Sequence, residues 1–260
     1  MFEPRLALAS LSGQSDAAWA KAALPHAGAA FLGGIAVDKR SRAAARRMVA
    51  DRDREEFLPA DPLEFIDTQL AAIEGPQLLA GFNVRSTAPD PVRAVAAVCT
   101  DHDAIIEVNA HCRQDELCAV GCGEALLKDT ERLCEQVAAA AEPGAPVSVK
   151  VRTEVPGVDL PTLAPQLVSA GATVLHIDAM DSEPIVREVV EVVGDEAFII
   201  ANNGVRGRRT AYEYLKFGAD AVSVGRPSDD PAVLARVKEA VEAWFAGASE
   251  VRQSPGLERP

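Results

Sequence analysis

Residues 147–178 read VSVKVRTEVPGVDLPTLAPQLVSAGATVLHID. An apolar run at 147–152 leads into helical periodicity at 160–170, then Gly171 where a C-terminal cap belongs, then a second apolar run at 173–178. Short runs rich in Val, Leu and Ile suit parallel strands covered outside by helices. The unit recurs in both directions. Further strand-like runs lie at 5–10, 29–33, 77–84, 104–109, 198–202 and 221–225. Helical patterns lie at 62–73, 91–98, 124–141, 184–193 and 210–217, the last followed by Gly218. Eight strands, each followed by a helix, in about 250 residues predict a closed (β/α)8 barrel forming a single domain. The rival is a doubly wound open sheet, for which eight parallel strands are many at this length. The barrel is expected to span 1–246. Residues 247–260 carry Gly, Ser, Pro and charge without periodicity and are expected to be a disordered tail.

With 260 residues, 48% of them hydrophobic, the chain can bury a core without disulfides or metals. No apolar run is long enough to span a bilayer, and the opening Met1-Phe2-Glu3-Pro4-Arg5 lacks the basic and apolar regions of a signal peptide. A cytoplasmic protein with no membrane partner is expected. The net charge is −13, and only six of the 26 basic residues are lysines. Such acidity resembles proteins of salt-loving organisms. In an ordinary cytosol it opposes non-specific nucleic-acid binding, an objection that fades at molar salt, where phosphate attraction is screened. Five cysteines and no export signal argue against a disulfide framework.

A barrel puts its chemistry at the C-terminal ends of its strands and in the loops that follow. Those positions hold Ser10, Gly33-Gly34, Asn83, Asn109-Ala110-His111-Cys112, Lys150-Val151-Arg152, His176-Ile177-Asp178, Asn202-Asn203-Gly204 and Gly225-Arg226. After strands seven and eight, where this fold usually binds phosphate, glycine lets an anion approach backbone N–H groups and Arg226 adds a forked cation. Simple tight turns would use the same glycines. A lysine inside an apolar strand, Lys150, is costly unless paired or used.

These residues carry a family resemblance. The chain resembles the dihydrouridine synthase group of FMN-dependent TIM barrels and, less closely, the dihydroorotate dehydrogenases. The likeness runs from about Leu6 to Arg226. It is carried by Ala9-Ser10-Leu11-Ser12-Gly13-Gln14-Ser15-Asp16, by Glu107-Val108-Asn109-Ala110-His111-Cys112 with Gly121-Cys122-Gly123-Glu124-Ala125-Leu126-Leu127, by Val149-Lys150-Val151-Arg152, by Ile200-Ala201-Asn202-Asn203-Gly204, and by the stretch from Gly218 to Arg226.

The resemblance implies an FMN site. Lys150 would face the flavin ring, Asn202 and Gly204 the ribityl–phosphate, and Gly225 and Arg226 the phosphate itself. Ser10, Asn83 (nearest counterpart of the family's strand-three glutamine) and His176 would complete it. Asn109 and Arg152 would bind the pyrimidine. Cys112 would be the general acid, protonating C5 of uracil while reduced flavin delivers hydride to C6 and NAD(P)H recharges the flavin.

The chain also departs from the family. His111 and Arg113 replace the glycine and proline flanking the family's cysteine, and both are expected to favour thiolate. Asp178 stands where the family has a histidine. The helical tRNA-binding domain that follows the family's barrel is expected to be absent. Two other readings stay open: a dihydroorotate-dehydrogenase-like enzyme on a free pyrimidine, and a non-catalytic barrel that binds a phosphorylated ligand.

Cys112, Cys118 and Cys122 beside His111 could hold a metal, but C-x5-C-x3-C fits no usual ligand pattern, so none is expected. Lys39, Arg40, Arg42, Arg46 and Arg47 form a basic stretch after strand two. It is either a solvated helix balanced by Asp38, Asp51 and Asp53, or a docking strip for a polyanion such as tRNA.

Overall fold

The computed structural model describes residues 1–253 except 53, 74 and 76. Its strands are β1 (Leu6–Leu8), β2 (Ala29–Ala36), β3 (Leu79–Arg85), β4 (Ile105–Asn109), β5 (Val147–Arg152), β6 (Val174–Asp178), β7 (Phe198–Asn202) and β8 (Ala221–Val224). Each pairs in parallel with the next, and β1 also pairs with β8, so the sheet closes on itself. The open-sheet alternative is thereby excluded. This is a (β/α)8 TIM barrel in one domain.

Alternation along each strand builds two cores. Outward residues such as Leu6, Leu8, Phe82, Val84, Val147, Val149, Leu175, Ile177 and Val222 are buried against the surrounding helices. Inward residues stack in layers, as the fold requires. The lowest layer is apolar, with Ala7, Phe31, Ile105, Val174, Ile200 and Ala221 closing the barrel floor over Phe2. Above it the inward positions turn polar: Asn83, Glu107, Ser148, Lys150, His176 and Ser223 are all buried. The strands are therefore less uniformly apolar than their sequence runs suggest.

Several boundaries differ from the sequence expectation for local reasons. β2 continues through Gly33-Gly34 as a bulge between Gly33 and Ile35, where glycine had read as a stop. The pattern at 124–141 breaks into Glu124–Leu127 and Thr130–Ala141, because Asp129 caps the second helix with its carboxylate on the Arg132 N–H. Gly171 and Gly218 do end their helices, with left-handed φ of 115° and 95°. The last helix, Pro231–Gln253, runs into the stretch expected to be a tail, and residues 254–260 lie outside those described. Among the described residues no helix is long and apolar enough to cross a membrane.

Candidate functional site

The polar layer is a continuous hydrogen-bonded chain. Glu107, at its hub, accepts from Asn83 Nδ2 (2.7 Å), from Ser148 Oγ (2.9 Å) and from His176 Nδ1 (2.7 Å). His176 Nε2 lies 2.7 Å from Ser223 Oγ, which also accepts from Asn202 Nδ2 at 2.7 Å. On the other side Asn109 Nδ2 donates to Asn83 Oδ1 at 2.8 Å. Residues from six strands thus share one satisfied network, the condition under which buried polar groups rigidify a site.

Charge settles accordingly. Burial disfavours the Glu107 carboxylate, but His176, Lys150 and the Asn83 hydrogen bond outweigh it and hold this carboxyl far below its usual range. Burial, joined by Lys150, keeps His176 neutral against the pull of Glu107.

Above this layer, the ends of β1 and of β4 to β8 enclose a cavity of about 240 Å³. Ser10, His111, Lys150, Asp178, Asn202, Asn203, Gly204, Arg206, Gly225 and Arg226 line it. Lys150 is 2% exposed, and its ammonium has no hydrogen bond or salt bridge among the described residues. Burial pulls its pKa down, opposed by the charges of Glu107 and Asp178. A Cβ built on Gly204 or Gly225 would meet nothing within 4 Å, so both backbones face open space. Asn202 spends its amide nitrogen on Ser223 O and Oγ, at 3.2 and 2.7 Å. A larger cavity of about 620 Å³ at the opposite end, beside Phe2, Gly28 and His102, lacks this convergence of inward strand-end groups.

Six of the sequence-derived site residues therefore meet at one cavity: Ser10, Lys150, Asn202, Gly204, Gly225 and Arg226. Asn83 and His176 lie beneath it, inside the network. Asn109 does not reach the cavity either. Its Oδ1 accepts the N–H groups of His111 (3.3 Å) and Cys112 (3.2 Å), so its amide builds the loop. Arg152 is buried outside the cavity lining, donating to the His111 carbonyl at 3.4 Å and to the Met180 sulfur.

Cys112 is 5% exposed and packs with Ala44, Ala45, Met48, Leu117 and Cys122 under the helix Lys39–Arg52, away from the cavity. Its thiolate is not favoured, contrary to the sequence expectation. Burial pushes the thiol up to about 11, with Arg85 the cation that opposes. His111 is itself driven down to about 4 by burial and Lys150, and so brings no charge. Among the described residues no group of three His, Cys, Asp or Glu is arranged to hold a metal.

Sequence reasoning missed Glu107, Ser148 and Ser223, and read His111 only as a neighbour of Cys112. The signal was present: each of the three lies two residues before a chosen site position (Asn109, Lys150, Gly225), the period of one strand face. It also missed Arg85, which pairs with Glu56 at 2.7 Å, both fully buried, and donates to Ser12 Oγ to tie down the β1 loop. The basic strip is altered too. Arg42 is buried, donating to the carbonyls of Pro59 (2.5 Å) and Ala60 (3.3 Å). Lys39, Arg40, Arg46 and Arg47 remain exposed. Asp38 spends its carboxylate on Ser41 and Thr87 instead of balancing them, and Asp53 lies outside the described residues.

Comparisons agree with this architecture. No family model matches the chain. It is 28% identical over 239 residues to an uncharacterized protein of Methanocaldococcus jannaschii, a match covering 86% of this chain and 89% of that one. It is similar in structure to DHODH in complex with ferulenol from Eimeria tenella, with TM-score 0.67 and 16% identity over 95% of this chain and 82% of that one. It is also similar to a chain of the tryptophan synthase complex of Pyrococcus furiosus, with TM-score 0.57 and 13% identity over 95% and 100%. At such identities the likeness is one of fold.

Proposed function

We propose that this barrel is an FMN-dependent oxidoreductase acting on the C5–C6 bond of a pyrimidine, of the tRNA-dihydrouridine synthase kind. The observation that carries it is Lys150: a buried cation without a protein partner, aimed into a cavity whose other end is lined by Gly225 and Arg226. Glu107 and Asp178 attract this cation but bond to none of its N–H donors, which leaves them for an anionic ligand. The residues fit the group. Arg226, Arg206 and the open backbone at Gly204 and Gly225 suit a phosphate, with Ser10 and Asn202 beside the path between phosphate and ring.

FMN supplies hydride transfer at C6 when bound, with NAD(P)H as the electron source. Lys150 would stabilise negative charge on the ring edge, Arg226 would hold the phosphate, and the Glu107 network would fix the floor beneath both. Exposed Lys39, Arg40, Arg46 and Arg47, on the helix that follows β2, would give tRNA a docking strip. The second reading is a dihydroorotate-dehydrogenase-like enzyme on a free pyrimidine. It is favoured by one observation, the withdrawal of Arg42 from that strip.

Mass spectrometry of tRNA nucleosides from a deletion strain tests the choice. Loss of 5,6-dihydrouridine is the expected result. Unchanged dihydrouridine in a strain lacking a protein that purifies yellow moves the substrate to the free pyrimidine.

A further inference from the structure

We propose that His111, oriented by Asp178, is the group that moves the proton at C5 of the pyrimidine, in place of the Cys112 thiol; this rests on the FMN reading of the cavity. The two side chains are neighbours in sequence and face different surroundings. His111 lines the cavity, whereas Cys112 is packed into an apolar cluster under a helix.

The imidazole is held from several sides. Its Nδ1 lies 3.5 Å from Asp178 Oδ2, and the other oxygen of Asp178 accepts from Asn203 Nδ2 at 2.8 Å. Asn203 has φ of 97°, a left-handed conformation that costs energy in a non-glycine residue and here sets its amide against Asp178. The His111 backbone is pinned by Asn109 Oδ1 on its N–H and by Arg152 on its carbonyl. Asp178 is the acidic neighbour of Nδ1 and favours the proton there, which leaves Nε2 its lone pair; Nε2 has no hydrogen-bond partner among the described residues.

The charged groups around the ring set its resting form. Burial and Lys150 disfavour the imidazolium, while Asp178 and Glu107 favour it, and the balance leaves His111 neutral. At rest, then, the site is set to accept a proton. In the dehydrogenating direction the C5–H bond breaks and its proton goes to Nε2. The electron pair left behind forms the C5=C6 bond as hydride leaves C6 for oxidised flavin. In the reducing direction NAD(P)H supplies the two electrons; neutral Nε2 first takes a proton from solvent, and the imidazolium so formed passes it to C5. Asp178 acts through His111 and is a positioning residue.

The test uses the FMN-loaded protein with NADPH and an unmodified tRNA transcript, reading dihydrouridine by mass spectrometry and bound flavin by visible absorbance. His111→Asn is expected to lose about 100-fold or more in turnover, the scale of general acid–base catalysis, while keeping its flavin. Cys112→Ala is expected to stay within a few-fold of the parent. Asp178→Asn should lose less than His111→Asn and move the His111 limb of the pH profile to lower pH, because a group that stabilises the imidazolium is gone. In flavin-free protein the imidazole nitrogen resonances of His111 should show the Nδ1-protonated form at pH 7.

Turnover that survives His111→Asn, or that Cys112→Ala abolishes while His111→Asn does not, overturns the assignment and leaves the FMN reading standing. So does an Nε2-protonated His111 titrating near 6.5. A parent protein that takes up no FMN, or leaves uridine unchanged with NADPH, fails earlier, at the cofactor or the substrate, and the assignment falls with it.

Discussion

Glu107→Gln is the perturbation that most strains the polar layer. The carboxylate accepts from three buried donors on three strands, Asn83, Ser148 and His176, and offsets the charge of Lys150. A glutamine keeps one acceptor oxygen but turns an NH2 toward a donor, and removes the only carboxylate of the network. A hydrogen bond to a charged group is worth about 1.5–3 kcal/mol, and the substitution loses at least one of the three. The lowered carboxyl points to the same order of magnitude. A carboxyl moved from 4.5 to about 2 by folding is stabilised by roughly 3 kcal/mol, at 1.36 kcal/mol per pH unit.

The sign follows from the lowered value. The stabilisation is fully present above the unfolded carboxyl's pKa and is lost as pH falls toward the folded one, whereas glutamine does not titrate. The gap between parent and variant should therefore be about 3 kcal/mol at pH 7.5 and narrow by about 1 kcal/mol at pH 4. Urea unfolding followed by circular dichroism at both pH values measures it. A gap below about 1 kcal/mol at pH 7.5, or one that widens toward pH 4, refutes the reasoning.

Other expectations follow from single residues. Lys150→Met removes a cation that burial disfavours, while Glu107 keeps its three hydrogen-bond donors, so the variant should lose less stability in urea than Glu107→Gln. Its FMN affinity should fall about 10–100-fold, the worth of one charge-assisted hydrogen bond, and an unchanged Kd would contradict that role. Gly225→Leu points a side chain into open space, so the variant should fold and fail to retain FMN, whereas full occupancy would place the phosphate elsewhere. Arg40→Ala with Arg47→Ala should reduce the salt slope of tRNA binding by about 1 per arginine in filter-binding titrations. An unchanged slope would remove the strip from the interface.

Much of the fold was legible because it depends on periodicity. All eight strands fall within a few residues of their apolar runs, and their ends bring Lys150, Asn202, Gly204, Gly225 and Arg226 to one cavity. What was not legible depends on side-chain direction across the chain. Whether Cys112 or His111 faces the cavity is decided by the loop that Asn109 builds and by the helix Lys39–Arg52 packing over the thiol. Neither is local in sequence. Arg42 was read as part of a charged face because helical spacing puts it beside Lys39 and Arg46. Its burial depends on two carbonyls seventeen and eighteen residues away.

Titration of flavin-free protein with FMN, following quenching of the flavin's fluorescence, probes the barrel mouth most directly. One saturable site per chain is expected, weakened by Lys150→Met and abolished by Gly225→Leu. No saturable binding, or binding indifferent to both substitutions, would mean that the ring of strand tips holds something other than this mononucleotide.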